Sequence, residues 1–131
     1  MVNPDYAKVP RAAKTEEDIL GMLMLHPEML ALPVDGKPLG EADMPTDLGK
    51  RIFAYMESCG EGEFSFGGMN ADFTESEMSR ATYMMVKRKE LVCSNDTYME
   101  YVRALRAENA KNTVKSTRSI QDILELKRNQ K

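Results

Sequence analysis

The residues that could carry chemistry are few and scattered along the chain. Glu16, Glu17 and Asp18 are consecutive, His26 is the single histidine, and Cys59 and Cys93 stand far apart with no C-x-x-C partner. Successive helical residues point about 100° apart, so three adjacent acids diverge rather than converge on one ion. One histidine supplies no base-and-relay pair for a Ser, His, Asp arrangement, and its place before Pro27 suits the negative end of a helix dipole. The cysteines read as small buried or half-buried hydrophobes, not as a zinc knuckle or a disulfide scaffold. Gly67 and Gly68 follow no strand and precede no G-K-[ST], so they make no phosphate cradle. Lys87, Arg88 and Lys89 sit where a helix C-terminus welcomes cations. No constellation supports catalysis, and no cofactor or metal is expected.

Bulk properties narrow the class further. The 131 residues are 42% apolar and 30% charged, with 7% aromatics and no Trp, a composition that suits one aliphatic helical domain. No run approaches the ~18 apolar residues that span a bilayer, and residues 1–14 lack the apolar middle of a signal peptide, so a cytoplasmic protein without a membrane role is expected. The net charge of -3 hides a split. Residues 1–102 carry 10 Lys and Arg against 18 Asp and Glu, whereas residues 103–131 carry 8 against 3. An acidic body would repel DNA, and a basic arm could meet an acidic protein surface or a phosphate backbone.

The elements that must position these residues are helices. Residues 1–14, with Pro4 and Pro10, read as a linker. Thr15 is a candidate cap for a helix whose apolar residues, Ile19, Leu20, Met22, Leu23, Met24 and Leu25, cover most of its circumference, as a central bundle helix requires. Pro27 ends it, a short helix around Glu28 to Leu32 follows, and VDGKPLGEADMP reads as a loop. Thr46 or Asp47 caps the next helix, with Leu48, Ile52, Tyr55, Met56 and Cys59 on one stripe and Gly60 at its end. Phe64, Phe66 and Phe73 plug the bundle end. T-E-S-E at Thr74 to Glu77 is a capping box for a helix reaching about Lys89, with Met78, Ala81, Met84, Met85 and Val86 toward the core. Ser94, Asn95 or Asp96 opens a long helix whose stripe of Tyr98, Tyr101, Val102 and Leu105 fades beyond Arg106. Ser119 offers a new cap for a short closing helix, with Ile120, Ile123, Leu124 and Lys127 on one face and Leu126 beside it.

The segment TEEDILGMLMLHPEML, Thr15 to Leu30, resembles the opening helix of the helicase-interacting C-terminal domain of bacterial DNA primase (DnaG). The N-terminal domain of the replicative helicase DnaB, related in fold, opens in a similar way. ADMPTDLGKRIFAYM, Ala42 to Met56, is similar to the segment of both families where an acidic loop leads into an amphipathic helix, and SIQDILELKRNQK is similar to the Leu-Lys-rich terminal helix of many primases.

The primase resemblance implies an all-α fold: a bundle over 15–94, then a long helix and a short C-terminal helix over 95–131. It implies a non-catalytic domain, monomeric alone, that binds a replicative DnaB-type helicase and brings primase to the fork. The implied helicase-binding residues are Ile120, Ile123, Leu124, Leu126, Lys127 and Arg128. The chain departs from the family in having only about fifteen residues after the long helix, which shortens the terminal hairpin. The helicase alternative fits less well, because VCSNDTYMEYVRAL lacks the glycine turn usual there and the chain ends in a basic helix. A small nucleic-acid-binding module is the third reading, opposed by the acidic body and by an arm without interleaved aromatics, so DNA binding is expected to be weak or absent.

Overall fold

In the computed structural model the chain is all-α, with a minimal two-stranded hairpin between its first two helices. The structure describes residues 10–59, 64–91 and 93–129, with side chains as far as residue 112. Helix α1 spans Pro10–Leu25, β1 Pro33–Val34, β2 Lys37–Pro38, α2 Asp47–Ser58, α3 Glu75–Lys89 and α4 Asn95–Asn129. Short 3-10 turns cover Pro27–Ala31, Glu41–Asp43 and Gly67–Ala71.

The apolar circumference of α1 makes it the centre of the bundle. Ile19, Leu20, Met22, Leu23 and Met24 are all buried, and α1 packs against α2, α3 and α4. At Gly21 the α3 backbone comes so close that a Cβ would collide with the Met84 carbonyl, so only glycine lets the two helices approach in this way. The helix also starts earlier than its sequence suggests. Pro10 to Lys14 are helical, not linker, and Ala12 and Ala13 are buried. Proline serves well in a first turn, where its missing N–H has no intrahelical partner to lose. Thr15 is therefore inside the helix, and its hydroxyl donates to the Arg11 carbonyl at 3.0 Å instead of capping.

Other local signals act as their chemistry dictates. Thr46 caps α2 by accepting from the Gly49 N–H, and Leu48, Ile52 and Met56 form its buried stripe, joined by Phe53. Thr74 and Glu77 form the capping box of α3. Ala81 and Met84 turn inward from α3, while Met78 and Met85 are half-buried and Val86 is exposed. Phe73 is buried, Phe64 and Phe66 are half-buried, and Met69 of the intervening turn is fully enclosed. Tyr55 meets Phe64 and Phe73 edge-on, which joins α2 to this closing segment.

Helix α4 differs from expectation in one respect: it is unbroken from Asn95 to Asn129. No new helix starts at Ser119, and no terminal hairpin forms among the described residues. The physical reason is that residues 95–129 contain neither Gly nor Pro, and a serine inside a helix costs only a few tenths of a kcal/mol, about 0.5, too little to stop it. The core also crosses position 95, because Tyr98, Val102 and Leu105 of α4 are fully buried.

Candidate functional site

The three consecutive acids of α1 do not converge on one point: Glu16 reaches the start of α2, and Glu17 and Asp18 reach separate cations of α3. The carboxylate of Glu16 is completely buried and accepts from the Thr46 backbone N–H at 3.1 Å and the Thr46 hydroxyl at 2.6 Å, fixing the start of α2. Glu17, also buried, pairs with Arg80 of α3. Asp18 lies 3.3 Å from Lys87 Nζ and 4.0 Å from Arg88 of the same helix. These acids are internal fasteners rather than solvent-facing partners of the helix dipole. A buried carboxylate persists only with such compensation.

The basic triplet at the end of α3 is correspondingly divided. Lys87 reaches Asp18, Lys89 is exposed, and Arg88 is buried under Tyr101, its guanidinium 5.0 Å from the ring centroid and its Nη1 3.3 Å from the phenol oxygen. Burial opposes the Arg88 charge, but Tyr101, Cys93 and Asp18 outweigh it and raise the pKa. Cys59 and Cys93 are free and half-buried. Among the described residues no three His, Cys, Asp or Glu side chains are placed to hold a metal ion. His26, just past the end of α1, lies 3.6 Å from Glu28.

The arrangement that stands out is the mount of α4. Asp35 and Gly36 both have positive φ, 54° and 85°, giving the tight reversal that pairs Val34 with Lys37 and Pro33 with Pro38. So short a hairpin has few ladder bonds of its own, and α4 adds donors to its carbonyls. Arg106 donates to the carbonyl oxygens of Val34 at 2.8 Å, Lys37 at 3.0 Å and Pro38 at 3.2 Å, and lies 3.5 Å from the Asp43 carboxylate. Arg103 meets Asp35 through two contacts of 3.1 Å, which holds the Asp35 carboxyl below its usual range. Asn109 donates to the Asp43 carbonyl at 2.7 Å. Where the apolar stripe of α4 fades, a polar clamp thus takes over for one further turn.

Sequence reasoning did not single out Arg103, Arg106 and Asn109 as contacts; it placed them where the apolar stripe fades into a basic arm that could meet an acidic protein surface or a phosphate backbone. The signal that pointed to them was Asp35-Gly36 between Val34 and Lys37, a hairpin turn pair whose short strands require outside donors.

Beyond the clamp α4 continues for 20 residues, from Ala110 to Asn129. At about 1.5 Å per residue the whole helix is about 52 Å long, against about 24 Å for α1 and about 18 Å for α2. The expected helicase-binding residues, Ile120, Ile123, Leu124, Leu126, Lys127 and Arg128, lie on this continuation, and their side chains fall outside the described residues. No helix among the described residues is long and apolar enough to cross a membrane. No protein-family model, curated protein or solved structure matches the chain.

Proposed function

We propose that this chain is a non-catalytic docking domain of the bacterial primase type, which binds a replicative DnaB-type helicase through the end of α4 and brings primer synthesis to the fork. The observation that carries this reading is the length of α4. A 35-residue helix rooted in a bundle whose other helices have 12 to 16 residues has far more surface than its own core can cover. Three supports accompany it. Two of the segments that resemble primase fall on α1 with its following turn and on the turn leading into α2 together with most of α2. The continuation carries Ile120, Ile123 and Leu124 at the spacing by which an amphipathic helix enters an apolar groove. Lys127 and Arg128 follow, as rim charges that would steer the approach to an acidic surface.

The acidic balance of residues 1–102 opposes phosphate approach, so the basic continuation serves a protein rather than DNA. The test is to titrate a DnaB-type helicase, and separately single-stranded and duplex DNA, against the same full chain at about 0.15 M salt, where the Debye length is roughly 8 Å. Helicase binding with weak DNA binding is expected; tight DNA binding without helicase binding overturns the proposal in favour of a nucleic-acid module.

A further inference from the structure

We infer that two copies of this chain pair reciprocally in a closed two-fold dimer, the end of each α4 seated in an apolar groove beside the α4 root of the other. The groove, of about 270 Å³, has buried Leu39 and Met56 among its walls, half-buried Leu30 and Phe64, and the exposed carboxylates of Glu28 and Glu57. That is just below the roughly 300–1,000 Å³ range of small-molecule sites, a size that suits a few side chains projecting from a helix.

Charge and length together select the occupant. Beyond the clamp, residues 110–131 have 6 basic against 2 acidic residues, and residues 1–109 have 12 against 19, so the end of α4 and the body attract each other. Within one molecule they cannot meet at this groove. Arg106 Nη2 is 3.2 Å from the carbonyl of Pro38, another groove residue, so the groove adjoins the root of α4. From there the helix runs on unbroken, and residue 129 lies about 30 Å beyond Asn109. Helices curve only gently without Pro or Gly, so the end stays away from its own groove.

A second copy resolves this mismatch. Antiparallel alignment of two such continuations brings the end of each helix to the root of the other, where Pro38 and Leu39 are among the residues lining the groove. In sequence, this end of the helix offers Ile120, Ile123 and Leu124 for apolar contact and Lys127 and Arg128 as charges that complement Glu28 and Glu57. The pairing is self-complementary and closes, as a two-fold interface must. It differs from the monomer that the primase resemblance implies. It does not depend on helicase binding, although both would use the same end of α4 and so exclude each other.

Sedimentation velocity of the full chain without helicase tests it, over a dilution series at about 0.01 M and about 1 M salt, where the Debye length is roughly 30 Å and 3 Å. Dimer at low salt, shifting to monomer at high salt, is expected. Glu57→Lys should weaken the dimer about fivefold or more. Lys127→Glu with Arg128→Glu should do the same, and combining all three changes should restore pairing. Circular dichroism of each variant checks the fold, and the paired change at 127 and 128 lies outside the bundle core. Monomer at every concentration, species that keep growing beyond dimer, or a dimer indifferent to these reversals would overturn the inference.

Discussion

Replacing Arg106 tests how α4 is mounted. Its guanidinium serves three backbone carbonyls of the hairpin, at 2.8, 3.0 and 3.2 Å, and lies near Asp43. A net hydrogen bond contributes about 0.5–1.5 kcal/mol, which puts three at roughly 1.5–4.5 kcal/mol. With a quarter of the side chain exposed, at 24%, water can rehydrate part of what is lost. Arg106→Ala should therefore destabilise the fold by about 2 kcal/mol. Arg106→Lys should recover less than half of that, because an ammonium on a flexible stem cannot span three acceptors as the planar fork does. Urea unfolding measures the global effect, and hydrogen exchange at Val34 and Lys37 the local one; 2 kcal/mol of lost protection corresponds to about thirtyfold faster exchange. Unchanged stability and unchanged exchange in the alanine variant would refute the clamp.

Other outcomes follow from the same structure. Tyr98 is fully buried, its hydroxyl has no hydrogen-bond partner among the described residues, and burial pushes its pKa up to about 12 from 10.0. Tyr98→Phe should be neutral or stabilising by up to about 1 kcal/mol at neutral pH. In the wild type, the stability tied to the neutral phenol is complete below pH 10 and is lost as pH rises toward 12, by about 2.7 kcal/mol, a slope the phenylalanine variant should lack in alkaline urea titrations. Glu77 has a pKa lowered from 4.5, first by the Thr74 backbone N–H, with burial opposing and Arg51 adding to it. Its contribution is present above pH 4.5 and lost as pH falls through the lowered value, so Glu77→Gln should cost about 1 kcal/mol at neutral pH and flatten the acid side of the thermal-stability profile. Replacing Lys127 and Arg128 by alanine should mainly slow helicase association and reduce its salt dependence in stopped-flow measurements.

Local grammar was legible in the sequence; distant partnership was not. The Thr74 capping box and the Thr46 cap depend on residues three positions away, so reading them needs no tertiary knowledge. The encircling hydrophobicity of α1 likewise places it at the centre of the bundle without coordinates. The burial of Glu16 and Glu17 depends on Thr46 and Arg80, respectively 30 and 63 positions further on, so the acids look like solvent-facing charges until the chain is folded. The hairpin escaped because strands of two residues carry no periodicity. The supposed break at Ser119 shows the opposite error. Serine is a good cap where a helix must begin, but with no breaker before it the helix has no reason to end.

Binding of a DnaB-type helicase by wild type and by Leu124→Asp, followed by calorimetric titration with the thermal stability of each domain measured in parallel, tests the central claim most directly. Burying a leucine contributes about 1.5–3 kcal/mol, and an unpaired carboxylate in its place adds a penalty. Helicase affinity should fall by at least about 2 kcal/mol, roughly thirtyfold, while the bundle, whose core runs from α1 to Leu105, keeps its stability. Undiminished binding by the aspartate variant, or losses of affinity and stability that match, would contradict the account, since the end of α4 would then not be the docking surface.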